Sequence, residues 1–409
     1  MGVVRKRGKS GKKISGILAA VLLAAAVLTG GYFYYRSSGE SFRFDGKSVS
    51  ASAFQTRKGP YDAYVTPYYR QQLSAQDAVL YDAVKYMLEN GVGELKVPGA
   101  YAASDIDRIV SLVQCDWPSI GLSSAWTATT TQLGIGDVNL TGPVTRISFQ
   151  ASVTDSPERS EQSLRAAQEI IDRMPPYTSE LDKTRYLYNW LVRNVSYKAD
   201  DGTRDSYRYK SLASALVDRQ ADCDGLANAV TLLCGMAGIE SFKVFYPEGE
   251  APDGGAAAGH VWNIVRIDGT YYGLDASYDA GYSAGKEIAT NIAFLVPTAL
   301  IARDKELDPS VAQLAPVCTS TAMDAKVHDV VVYDADADSF VEDAAKMLRG
   351  NMRMGKDYIS IKCASQKTYD ELVERMSEEY GPQILSQSHV GSARWVRDSG
   401  FRVFYLFVE

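Results

Sequence analysis

The chain has 409 residues, 46% hydrophobic and 23% charged, which is too much for one ordinary core and excludes extended disorder. The formal net charge of −7 is uneven: the first thirteen residues hold six cations and no acid, leaving 37 basic against 50 acidic residues, a net of −13, in the rest. So acidic a body lacks the clustered Lys and Arg that bind phosphate backbones, which excludes nucleic acid as a partner; the charge serves solubility and favours cationic substrates.

Residues 14–35 carry no formal charge and are rich in Ala, Leu and Val. As a helix they span about 33 Å, enough for a hydrocarbon core. With the basic segment 1–13 cytoplasmic and Tyr32 to Tyr35 at the far interface, everything after Arg36 is placed outside. The expected location is therefore the cell membrane, single-pass, with an extracytoplasmic body. A cleaved signal peptide is the competing reading, but Thr29-Gly30-Gly31-Tyr32 offers no clean small-x-small site. Residues 36–60 read as a Ser/Gly linker.

A first unit, 61–155, is expected to hold helices at 74–89 and 103–113, then Thr/Val-rich strands within 124–151. The middle unit, 156–322, opens on Ser156-Pro157, a cap followed by proline at the first helical position. Its expected helices run to Met174, from 180 to 194 with Tyr186, Trp190 and Leu191 on the apolar stripe, and from Cys223 to Gly238. Strands follow at 241–246, 259–267 and 271–276. The last unit, 325–409, reads strand (329–333), helix (339–349), strand (357–363), helix (366–379) and two strands (392–397, 401–408), a small α/β domain with about two βαβ-like passes. No internal repeat is visible.

Five cysteines are too few and too scattered for a disulfide framework, and the odd count leaves a thiol free. Cys223 begins a helix whose apolar stripe runs through Leu226, Ala227, Val230, Leu233 and Cys234. A helix start stabilises a thiolate, although Asp222 and Asp224 oppose it. Cys234, on the stripe, is plain core. Asp268-Gly269 marks a two-residue hairpin in which Ile267 pairs with Thr270. That register sets Trp262 opposite Asp275 and His260 opposite Ser277. His260 and Asp275 then share a face as diagonal neighbours, and an acid so placed orients an imidazole and stabilises its cation. His328 and His389, the other two histidines, have no such setting.

A thiol, a histidine 37 residues later and an acid 15 beyond that suit activated-thiol catalysis. Here the sequence resembles the transglutaminase-like superfamily. The matching elements are Ala221-x-Cys223-x-Gly225-x-Ala227, the Leu-Leu-Cys-Gly-Met-Ala-Gly-Ile helix end, His260-x-Trp262-Asn263, Asp268-Gly269-x-Tyr271-Tyr272-x-x-Asp275 and the lead-in Tyr186 to Tyr197. The resemblance covers about 160–320; Leu226 departs from it, standing where the family often has an aromatic. It implies an α+β fold, a papain-like core of helices packed on an antiparallel sheet, with a helical and β unit before it and the small α/β unit after. It also implies Cys223 as nucleophile, His260 as base and then acid, Asp275 as orienter, and a thioester resolved by water or an amine. The Cys223 N–H would serve an oxyanion hole, with Gln220 or Tyr209 as candidate second donor.

Peptide or protein amides at the cell surface are the expected substrates, with hydrolysis, deamidation and cross-linking all open. A surface binding module that keeps the fold but has little activity is the alternative. Residues 248–260 are Gly/Ala-rich and feed into the histidine, as a lid or as a plain surface loop. Asp334-x-Asp336-x-Asp338 resembles the start of a calcium loop, but Ser339 and Ala345 stand where Gly and Glu are needed. Ser339-x-x-Glu342 reads instead as a capping box, so neither metal nor cofactor is expected.

Overall fold

The computed structural model describes residues 48–49, 59–131, 134–135, 138–139, 144–199, 204–250, 256–257, 259–283, 289–333 and 337–409. The basic segment, the expected anchor at 14–35 and most of the 36–60 linker lie outside the described residues. Among the described residues no helix is long and apolar enough to cross a membrane.

Residues 61–155 form α1 (Ala75–Asn90), β1 (Glu94–Pro98), α2 (Ala103–Asp116), β2 (Ile120–Thr131) and β3 (Val144–Thr154). β3 pairs antiparallel with β1 on one side and β2 on the other. Ser74 caps α1 by accepting from Asp77 N at 3.1 Å, a contribution of about 1 kcal/mol. The segment before α1 is tied down by Asp116, which accepts from the Tyr69 and Arg70 amides and the Tyr81 hydroxyl. Burial pushes that carboxyl up to about 7.

The middle of the chain forms α3 (Pro157–Asp172), α4 (Glu180–Asn194), α5 (Leu212–Leu216), α6 (Cys223–Met236), β4 (Ser241–Tyr246), β5 (His260–Ile267), β6 (Thr270–Leu274), α7 (Ala276–Ser283) and β7 (Phe294–Val296). The sheet order is β7–β6–β5–β4, antiparallel throughout. Serine caps start α3 and α4, from Ser156 and Ser179. The apolar run of α6 lies buried against β4 and β5. One hydrophobic core takes in residues from Tyr61 to Met323 together with Phe401, Val403 and Tyr405 of the last unit, so the helices and sheet of 61–155 are continuous with the middle unit.

The last unit forms β8 (Val330–Val332), α8 (Ala337–Arg353), β9 (Tyr358–Cys363), α9 (Gln366–Arg375), α10 (Gly381–Ser388), β10 (Ala393–Asp398) and β11 (Val403–Val408). Its sheet order is β8–β9–β11–β10 over a second core. Only β8 and β9 run parallel, so there is one βαβ pass rather than two; the closing hairpin sets β11 antiparallel to β9. A π-turn at Met376–Tyr380 carries the helix past 379 into α10. α8 begins at Ala337, which places Ser339 inside the first turn rather than at its cap. Residues 334–336 of the acidic triplet lie outside the described residues.

Candidate active site

Cys223 is the first residue of α6, and Asp222 is its cap, accepting from Gly225 N at 3.0 Å. Gly225 is required by close approach: a Cβ there would lie 2.4 Å from the Tyr209 carbonyl oxygen. All five cysteines are free thiols, and four of them are buried. Burial pushes Cys234 up to about 12, as befits a core residue. Cys223 alone is partly exposed, at the N-terminus of α6.

The two flanking carboxylates are each answered by a lysine. Lys210 Nζ lies 3.2 Å from Asp222, and the wholly buried Lys243 lies 3.5 Å from Asp224. Burial raises Asp222 to about 6, with Lys210 pulling the other way. Lys243 also donates to the Ile120 carbonyl and to Asn228, fastening the nucleophile helix to β2.

The hairpin has the register read from Asp268-Gly269: Ile267 pairs with Thr270, and the ladder continues to Asn263 and Leu274. There it stops, which corrects the expected strand to 276 and the pairings of Trp262 with Asp275 and of His260 with Ser277. Trp262 and His260 pair instead with Val244 and Tyr246 on β4. Asp275 leaves the strand to start α7. Its Oδ1 accepts from Ser277 N (3.0 Å), Ser277 Oγ (2.6 Å) and Tyr278 N (3.1 Å). Its Oδ2 meets His260 Nε2 at 2.7 Å, with the carboxylate side chain 2% exposed and the imidazole 21%.

These contacts set the charges. Burial disfavours the imidazolium, but the charge and hydrogen bond of Asp275, aided by Cys223, outweigh it and hold His260 well above the ordinary imidazole range. Burial likewise opposes ionisation of Asp275, yet His260, Ser277 and the Tyr278 amide keep it below the usual carboxylate value. With Nε2 committed to Asp275, Nδ1 is the nitrogen left for the Cys223 thiol. Asn263, buried on β5, donates to Ala227 O (3.1 Å) and Thr231 Oγ1 (2.9 Å) of α6, which fixes the histidine strand on the cysteine helix.

The model of the transglutaminase-like superfamily matches residues 166–276, the stretch that holds all three residues. This stretch is a transglutaminase-like core. Kyphoscoliosis peptidase of Mus musculus is 21% identical over 117 residues, which are 27% of this chain and 18% of that protein. The Homo sapiens protein of the same name is 22% identical over 120 residues, again 27% and 18%. The chain thus spans less than a fifth of the length of these relatives. Among solved structures, a TGase aligns at 12% identity and TM-score 0.25, over 45% of this chain and 50% of that one. The periplasmic domain of TgpA from Pseudomonas aeruginosa aligns at 17% and 0.20, over 39% and 69%.

Two parts of the transglutaminase-like core were not anticipated from sequence. One is α7, although an Asp with Ser two positions on is a legible cap signal. The other is Tyr197. It lies on a two-residue ladder, Ser196–Tyr197 with Gln220–Ala221, immediately before Asp222. Burial, then the charges of Cys223, Asp222 and Asp275, raise its hydroxyl, so it stays protonated and able to donate. Of the donors considered earlier, the Tyr209 hydroxyl accepts from Arg208 and the Gln220 side chain is exposed. The flap leading into His260 pairs Gly249–Glu250 with Ala256–Ala257, and its tip lies outside the described residues. No group of three or more potential metal ligands occurs among the described residues.

Proposed function

We propose that the chain is a thiol enzyme that acts on peptide or protein amides through a Cys223 thioester. The observation that carries this reading is the 2.7 Å His260–Asp275 pair, its carboxylate buried, beside a partly exposed thiol at a helix start. His260 takes the thiol proton on Nδ1, and the thiolate attacks the amide carbon. The Cys223 N–H and the Tyr197 hydroxyl receive the developing oxyanion. When the C–N bond breaks, the imidazolium gives its proton to the leaving nitrogen. Water or a primary amine then loses a proton to His260, attacks the thioester and frees the thiol. The peptidase name of the curated relatives supports hydrolysis as the outcome. The uncharged 14–35 segment, with six cations before it, supports anchoring with the body outside the cytoplasm.

The test is a mass-spectrometric comparison of full-length wild type and Cys223→Ala on a cell-surface peptide mixture with a dansylated primary amine. New termini, deamidated side chains or amine adducts that require Cys223 support the reading and name the acceptor. Identical peptide profiles for the two proteins would leave only a binding module.

A further inference from the structure

Helix α4 buries Leu181, Leu187, Tyr188, Leu191 and Val192. Tyr186 and Trp190, expected on that stripe, are half-buried and pack against its edge. With Tyr177, Asp182, Arg185, Asn189 and Arg193 they line a cleft of about 330 Å³ away from the thiol.

The cleft holds more positive charge than its surroundings answer. Arg185 has Asp182 only at 3.8 Å and donates to the Lys326 carbonyl, and burial lowers its pKa. Arg219 lies 4.2 Å over the Trp190 ring, with its Nη1 buried and lacking a hydrogen-bond partner; burial lowers its pKa, with the charge of Glu169 opposing. Arg193 is exposed and makes no ion pair among the described residues. The Asn189 Oδ1 is buried and also lacks a partner. A partly desolvated guanidinium held only by a long ion pair, as Arg185 is, gains from a carboxylate that enters the cleft and meets it at hydrogen-bond distance.

Spacing and composition favour one class of occupant. Arg185 and Arg193 stand eight residues apart on one stripe of α4, about 12 Å along the axis, too far to share a single phosphate or carboxylate. An extended chain carries side chains four residues apart at about 13 Å, all on one face. Tyr177, Tyr186 and Trp190 supply aromatic surface for apolar side chains between the acids, the Tyr177 and Tyr186 rings lying 6.3 Å apart.

We propose that this cleft docks an extended acidic peptide segment, with carboxylates four residues apart on Arg185 and Arg193 and an apolar side chain on Trp190. The C-terminal end of α4 leads directly into Tyr197 beside Cys223. A polypeptide docked there can therefore present an amide to the thiol from a distant segment. That use rests on the amide-directed reading above, whereas docking itself does not.

The experiment is fluorescence anisotropy of the full chain with a fluorescein-labelled peptide, Glu-Ser-Leu-Ser-Glu-Ser, which sets both acids and the leucine on one face, and with its counterpart bearing Lys for Glu. The acidic probe is expected to bind about tenfold tighter or more, against the net charge of the body. Arg193→Glu and Trp190→Ala should each weaken it about tenfold. Arg165→Glu, an exposed change on α3, should not. Cys223→Ala should bind as wild type does, so loss of turnover and loss of docking are read separately. Equal or tighter binding of the Lys peptide, an equal effect of Arg165→Glu, an Arg193→Glu effect within twofold, or binding of polygalacturonate but not the peptide would each overturn the proposal.

Discussion

Replacing Asp275 by Asn isolates the charge of the acid from its role as a helix cap. The Asn Oδ1 still accepts from Ser277 and Tyr278, so α7 keeps its start. What changes is the atom facing His260 Nε2: an acceptor carboxylate oxygen becomes an amide N–H₂. That donor selects the tautomer with its proton on Nδ1, the nitrogen needed to take the thiol proton. The lost interaction is one buried charge-assisted hydrogen bond of 2.7 Å, worth about 1.5–3 kcal/mol. At about 1.4 kcal/mol per factor of ten, Cys223 should alkylate with iodoacetamide about 10- to 150-fold more slowly at neutral pH. Stability gives an independent readout. His260 has a raised pKa, so its contribution is complete below about pH 6.5 and fades as pH rises through the raised value. Asp275 has a lowered pKa, so its contribution is present above about pH 4 and fades as pH falls through the lowered value. The stability gap between wild type and Asp275→Asn, measured by urea titration, should therefore be widest between about pH 4 and 6.5. Asp275→Ala should lose about 1 kcal/mol more, from the cap. Unchanged alkylation and a pH-independent gap would refute this account of the pair.

Tyr197→Phe should lower kcat by about 10²- to 10³-fold with little change in KM, while Cys223 alkylation keeps its pH profile; a KM effect alone would make the ring a packing residue. Lys243→Met removes the cation beside the buried Asp224 carboxylate and should cost about 3–5 kcal/mol in denaturant titration; Lys243→Met combined with Asp224→Asn should recover much of it. Gly225→Ala forces a methyl against the Tyr209 carbonyl and should cost about 1–3 kcal/mol by the same titration, with the nucleophile displaced and alkylation slowed.

Local signals carried much of this structure. Serine and aspartate caps, the Asp268-Gly269 turn and the apolar run after Cys223 are chemistry between residues a few positions apart, and they placed α6 and the β5–β6 register. The superfamily motif brought Cys223, His260 and Asp275 into one reading. The ladder's end was not legible, because the choice between a longer strand and α7 is made by tertiary partners: Tyr188 donates to the Asp275 carbonyl, and Asp279 accepts from the amides of Ile292 and Ala293. Tyr186 and Trp190 pack against the core only in part, because an amphipathic aromatic suits a rim as well as a core. Lys243 reads as a surface residue in an alternating strand; only the β2 carbonyl and Asp224 explain its burial.

The central claim is that Cys223 carries an acyl group in turnover. Acid-quenched intact-mass and peptide mapping after brief exposure of the full chain to p-nitrophenyl acetate tests it most directly. A single acetyl group is expected on Cys223, released on standing at neutral pH, formed far more slowly in His260→Ala and absent in Cys223→Ala. Acetylation that spreads over lysines, or that reaches the same extent without Cys223, would contradict it.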